Sequence, residues 1–204
     1  MSNAPTNSAA ASRPFPLTPA AAWVPASGAR RIAAGLGLSL AFAALTAVGA
    51  HIVIPIEPVP ITMQTLFVLL AGASIGAGWG SLSQWMYVML GIAGLPMFAQ
   101  GAVGAGVLTG PTGGYVISFL VTPWLVGWML RRSNRVGWQV VSFTAGQILI
   151  LTLGVAHLTL FYTHDLARSL AVGVLPFLPG DAFKIAAAVS IHRSSQALVR
   201  HYRG

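Results

Sequence analysis

The stretch Arg30–Ile54, RRIAAGLGLSLAFAALTAVGAHIVI, decides the fold. Two arginines precede Ala33–Ile54, a run without one formal charge. A helix needs roughly 20 apolar residues to cross about 30 Å of hydrocarbon. An arginine pair, an apolar stretch and small residues also describe a signal peptide, but such a segment has an apolar region of only about 7–15 residues. This run is longer and more runs follow, so it reads as a retained first helix. Working outward from it, six stretches qualify as spans: 33–53, 61–76, 78–95, 114–130, 137–161 and 171–192. The second and third are separated only by Gly76-Ala77-Gly78 and are too long together for one crossing, so a tight turn is expected there.

Composition agrees. Of 204 residues, 55% are hydrophobic and 7% are charged, against about 25% charged in an ordinary soluble domain. A soluble surface cannot be made from three acids (Glu57, Asp165, Asp181), one lysine (Lys184) and ten arginines. Absence of cysteine excludes disulfides, Cys-based zinc sites and thiol catalysis. A Walker A loop needs Gly-Lys-Ser/Thr, and the lone lysine follows Phe183; no His-Glu-x-x-His pattern occurs either. No cofactor or metal is expected, nor an intramembrane enzyme, since acids and nucleophile–base pairs are too few.

The net charge of +8 is a topology signal, not a nucleic-acid one. Arg13, Arg30 and Arg31 precede the first span; Arg131, Arg132 and Arg135 lie between the fourth and fifth; Arg193, Arg200 and Arg203 follow the sixth. Arg168 alone falls on the other side. The positive-inside rule places both termini in the cytoplasm. The expectation is an all-α membrane protein, a six-transmembrane-helix bundle with an outward-facing ligand pocket, in the bacterial cytoplasmic (inner) membrane. Residues 30–204 form its membrane domain and the Ala/Pro/Ser-rich residues 1–29 a disordered extension. Trp79, Trp85, Trp124, Trp128 and Trp138 sit near span ends, as interfacial anchors do.

Three segments then face outward: 54–60, 96–113 and 162–170. Segment 96–113 is apolar, glycine-rich and uncharged. Such backbone at membrane depth must be buried in protein or line a cavity, as a ligand-binding loop or as a tight connector. Segment 54–62 carries Pro55, Pro58 and Pro60 and reads as a stiff extended cap with a solvated Glu57.

Asp181 and Lys184 are the most informative pair. They follow Phe177-Leu-Pro-Gly180 and open an apolar helix, where a three-residue spacing puts them on one face. Ionisable groups inside a span are costly and face a cavity or one another. Two readings stay open. One is a helix cap with a local ion pair. The other is a ligand site in which Asp181 accepts N–H groups and Lys184 donates to an oxygen. Gln64, Thr65, Tyr115, Gln147 and His157 are further polar residues in spans, where interhelical hydrogen bonding is the common role. Phe98 and Phe177 are candidates for stacking on a ligand.

Four segments carry a resemblance: Glu57–Leu66 (EPVPITMQTL), Gly91–Phe98 (GIAGLPMF), Thr109–Tyr115 (TGPTGGY) and Leu175–Lys184 (LPFLPGDAFK). In order and spacing they resemble the BioY family, biotin-binding S components of energy-coupling factor (ECF) vitamin transporters. The likeness covers residues 35–192. It implies biotin held in an outward pocket under the loops after the first, third and fifth helices. It implies contacts from Asp181 and Lys184 and, by spacing more than identity, from Gln100. Around them stand Gln64, Phe98, Thr112, Gly113, Tyr115 and Phe177. Lys184 could serve the ureido oxygen or the carboxylate. The implied partners are a transmembrane T component and two ATPase subunits, met by small residues on the first helix. Ser39, Ala43 and Ala47 make one such stripe; Ala33, Gly37 and Ala41 make another. Two other functions remain open: an S component for a different vitamin, such as thiamine or riboflavin, and a membrane scaffold whose Asp181–Lys184 pair only locks helix packing.

Overall fold

The computed structural model describes residues 28–203, so the extension expected over 1–29 lies outside the described residues but for its last two. Helix α1 spans Ala29–His51. It buries Gly35, Ser39, Ala43, Thr46, Gly49 and Ala50 at spacings of three and four, while Leu36, Leu40, Leu45 and Val48 on the other face are exposed. Small and polar residues inside with large apolar ones outside is the reverse of a soluble helix and suits lipid. The same inversion marks α7, Val136–Leu158, whose buried face includes Gln139, Ser142, Gly146 and Gln147.

Helix α2, Gln64–Ile75, is the axis of the molecule. Val68, Leu69, Ala71 and Ala73 are fully buried. Its 12 residues rise about 18 Å, well short of the expected second span. Gly76, at φ 86° and ψ 171°, turns the chain directly into α3, Ala77–Ile92. Glycine takes that conformation without a Cβ penalty, and the turn falls where it was expected. A Cβ at Gly72 would collide with the backbone of Pro123, so α2 and α6 meet backbone to backbone.

Two expected spans are broken. Residues 114–130 divide into α5, Gly113–Phe119, and α6, Thr122–Leu130. Pro123 has no N–H to give to Phe119, and Leu120 and Val121 instead bond to the carbonyls three residues back. Residues 171–192 divide into α8, Leu166–Gly173, and α9, Leu178–Arg203, bent by 52°. Pro176 lies in the break and Pro179 in the first turn of α9, the position proline tolerates. The expected loop 162–170 is therefore largely ordered, as a π-helical turn (Thr159–Thr163) followed by α8. The Asp165 carboxylate caps α8 by accepting the N–H groups of Ala167 (2.8 Å) and Arg168 (3.2 Å).

The segment expected as a stiff extended cap carries two short strands. β1 (Val53–Ile54) pairs antiparallel with β2 (Ile61–Thr62), holding the proline-rich segment between them as a hairpin. Segment 96–113 forms a short 3-10 turn, Ala99–Gly101, and the single-turn α4, Gly106–Thr109. Met97 and Phe98 anchor it while much of the rest is exposed. Among the described residues, three helical stretches are long and apolar enough to cross a membrane, Ala29–His51, Gly113–Leu130 (α5 with α6) and Val136–Thr163 (α7 with the π-helical turn), or four with the bent α8–α9 pair counted as one span.

Trp124 and Trp128 are exposed and stacked, with Arg132 over the Trp128 ring, as an interfacial anchor requires. Trp79 and Trp138 serve packing instead. Trp79 fills the space over Gly35, and the Trp138 indole donates to the Met129 carbonyl at 2.7 Å.

Candidate functional site

The first turn of α2, the short α5, the middle of α7 at Gln147–Leu151 and the first turns of α9 line a cavity of about 420 Å³. That volume lies within the range of roughly 300–1,000 Å³ typical of small-molecule sites. The β1–β2 hairpin roofs it through Ile56–Pro60, and the loop after α3 through Phe98, Ala99, Gln100 and Ala102.

Lys184 is the charged group at its inner wall. It stands one and a half turns into α9, with only 3% of its surface exposed. Its Nζ donates to Thr65 Oγ1 at 3.1 Å and to Asp181 Oδ1 at 3.2 Å. An ammonium has three hydrogens, so one remains for a ligand. Asp181 is equally buried and stands behind Lys184 rather than in the wall. Its Oδ2 has no partner among the described residues, and neither does Oε1 of the cavity-lining Gln147. Buried acceptors without donors are costly, and here two flank one cation. Of the first reading, the cap does not hold, since α9 begins three residues earlier, while the local ion pair with Lys184 is present.

Aromatic rings make two further walls. Tyr87 meets Phe98 edge-on at 5.5 Å and Phe119 at 6.4 Å. The Gln64 side chain donates to the Tyr87 hydroxyl while its Oε1 accepts from Thr62 at 2.8 Å. Opposite, Tyr115 stacks on Phe177 at 6.0 Å and 17°, and its hydroxyl donates to the Gly173 carbonyl at 2.8 Å. Gln100 sits at the rim, exposed, in the left-handed region at φ 59°.

Of the residues singled out from sequence, Lys184, Gln100, Phe98, Tyr115, Thr112, Phe177 and Gln64 all line the cavity. Gly113 does not. It is buried between the Leu108 carbonyl and the His157 ring, a packing position with no room for a Cβ. The stripe Ser39, Ala43, Ala47 is a clear correction. Ser39 and Ala43 are fully buried, and the Ser39 hydroxyl donates to the Trp79 carbonyl at 3.0 Å. That face is occupied by this chain's own α3, whereas Ala33, Gly37 and Ala41 are exposed. Thr65 and Gln147 are wall residues that sequence marked as polar but left as packing candidates, and Glu57, though exposed, also lines the cavity.

Fold and site together define a helical membrane protein that encloses a small-molecule cavity with a buried Asp–Lys pair. The particular family is shown by comparison: the chain belongs to the BioY family, whose model matches residues 21–201. It is similar to a "Biotin transporter BioY" of Thermotoga maritima, 41% identical over 150 residues, 74% of this chain and 88% of that one. It is similar to "Biotin transporter BioY2" of Lactococcus lactis subsp. cremoris, 33% identical over 160 residues, 78% and 86% respectively. Among solved structures, the fold matches an S component for biotin from an ECF-type ABC transporter. The TM-score is 0.76 at 30% identity, covering 83% of this chain and 94% of that one.

Proposed function

We propose that the chain captures biotin in this cavity as the S component of an ECF-type transporter, taking it up across the bacterial cytoplasmic membrane. The observation that carries this is the Lys184–Asp181 pair with Thr65, buried at the inner end of a mostly apolar, aromatic-walled cavity. Biotin offers a cyclic urea, an apolar ring and chain, and a carboxylate. The urea oxygen suits the remaining Lys184 hydrogen, and its N–H groups suit Gln147 in the wall, with the Asp181 carboxylate behind Lys184 as the next acceptor. The ring and chain suit the walls of Phe98, Phe119, Tyr115 and Phe177. Gln100 and Thr112 close over the ligand at the rim.

In this reading residues 30–204 are one membrane domain, following an extension over 1–29. It crosses the bilayer six times, α8 and α9 making the last passage and both termini lying in the cytoplasm, so that the cavity opens outward. A T component and two ATPase subunits supply the energy, and the exposed α1 face at Ala33, Gly37 and Ala41 is where a partner helix can approach closely. No covalent chemistry on biotin is involved, and nucleic acid is not a partner.

The test is equilibrium binding of biotin to the purified protein without nucleotide, with copurifying subunits identified. Tight binding that Asp181→Asn and Lys184→Met each abolish is the expected result. Unchanged affinity in both variants overturns the site. Displacement of biotin by thiamine or riboflavin at equal concentration overturns the choice of vitamin.

A further inference from the structure

Beside the main cavity lies a second, of about 350 Å³, lined by Glu57, Pro58, Tyr162, Thr163, Arg168 and Val172. Glu57, Pro58 and Tyr162 are shared by both, so the outer space adjoins the rim of the inner one. We infer that this outer space is a carboxylate subsite in which the Arg168 guanidinium reads the charged end of the ligand; the inference rests on the biotin reading above.

Three observations carry it. Arg168 is the one arginine that arginine placement does not assign to the cytoplasmic side, so it does nothing to orient the bundle. It is also uncommitted. Among the described residues the ion pair within 4.0 Å is Lys184–Asp181, and Arg168 makes none. The nearby Asp165 carboxylate is turned to the α8 backbone as its cap. A planar fork of donors thus lines a polar space beside the ligand cavity, and such a fork matches a carboxylate.

The third observation is the polarity of the inner end. Gln147 Oε1 is an unpartnered acceptor there, and the Asp181 carboxylate stands just behind Lys184. An anionic ligand end would face them unfavourably, whereas N–H donors would satisfy them. The ligand is therefore oriented with its neutral urea inward and its acid outward, and the outer cation is Arg168. Glu57, in the same outer space, repels a carboxylate placed toward the hairpin and favours one placed toward α8. The class selected is a monocarboxylate with a neutral polar head.

The experiment compares biotin with biotin methyl ester, which keeps the head and loses the charge, on the parent and on Arg168→Gln and Arg168→Lys. The parent is expected to bind the acid about tenfold more tightly than the ester, a modest factor because Arg168 is exposed to solvent. Arg168→Gln should weaken the acid about tenfold, leave the ester unchanged and erase the discrimination. Arg168→Lys should retain part of it. Equal loss of acid and ester in Arg168→Gln, a parent without discrimination, or discrimination that survives Arg168→Gln overturns the subsite. Failure of the biotin reading looks different, since the parent would then bind neither acid nor ester.

Discussion

Lys184 and Asp181 were legible because a charge inside an apolar run has few places to go. Their geometry also separates binding from scaffolding. Removing one member of a buried pair leaves the other uncompensated, at a cost of about 3–5 kcal/mol, whereas replacing both by apolar residues of similar size is often neutral. Lys184→Met should therefore lower the thermal midpoint in detergent and abolish biotin binding. The double variant Asp181→Leu with Lys184→Met should recover most of the midpoint and still not bind. A double variant that binds biotin would assign the pair to packing alone. Gln147 was less legible, because a glutamine in a membrane helix most often bonds to a neighbouring helix; only the structure shows its Oε1 without a partner beside the cavity. Relief of an orphaned acceptor is worth about 1–3 kcal/mol. Gln147 also hydrogen-bonds the Asp181 carboxylate, and losing that bond offsets the relief, so Gln147→Leu is expected to leave the midpoint near the parent's and weaken biotin about tenfold, measured by thermal unfolding and titration calorimetry. A loss of both stability and affinity would make Gln147 a structural residue.

Among the elements, α1 and α7 follow their apolar stretches closely, while the stretches 114–130 and 171–192 conceal breaks. Hydropathy counts apolar side chains and is blind to backbone donors. Pro123 and Pro176 are apolar enough to pass, yet proline cannot continue the helical bond ladder. Those breaks serve the site. The turn at 174–177 places Phe177 in the cavity wall, and the short α5 brings Tyr115 to the Gly173 carbonyl. The loop before α5 is tied from another side: His157 Nε2 lies 3.1 Å from the Gly110 carbonyl, and since a carbonyl only accepts, the imidazole must carry its proton on Nε2. Among the described residues this is the side-chain hydrogen bond that ties α7 to the loop presenting Thr112 to the cavity. In His157→Ala, amide exchange should quicken over residues 106–113 while α2 remains protected, and biotin should dissociate several-fold faster. Uniform quickening across the chain would instead show that His157 supports the whole bundle.

At the scale of the molecule, the scarcity of charge that excludes a soluble fold also supplies the argument for the proposed orientation in the membrane. Arg131, Arg132 and Arg135 cluster at the α6–α7 connection, at the end of the bundle opposite the cavity. Arginine clusters of this kind stay in the cytoplasm, and the proposed function takes the cavity to face outward on that ground. The natural chain has no cysteine, which makes single introduced thiols clean reporters. Gly137, exposed with open space where a Cβ would go, marks the arginine-rich end; Ala167, exposed on α8, marks the cavity end. With a membrane-impermeant maleimide on intact cells, Ala167→Cys should label at once and Gly137→Cys only after lysis. The reverse pattern would put the cavity in the cytoplasm and remove capture from outside as a function. The same orientation leaves the exposed α1 stripe of Ala33, Gly37 and Ala41 facing lipid, far from Lys184 in the fold's interior. Close helix approach needs small residues, so Gly37→Leu should block copurification of a T component while biotin affinity stays at the parent's value. Ser39→Leu offers the contrast. Its side chain would enter the α1–α3 contact at Trp79 and lower the thermal midpoint, because that face is already filled by this chain.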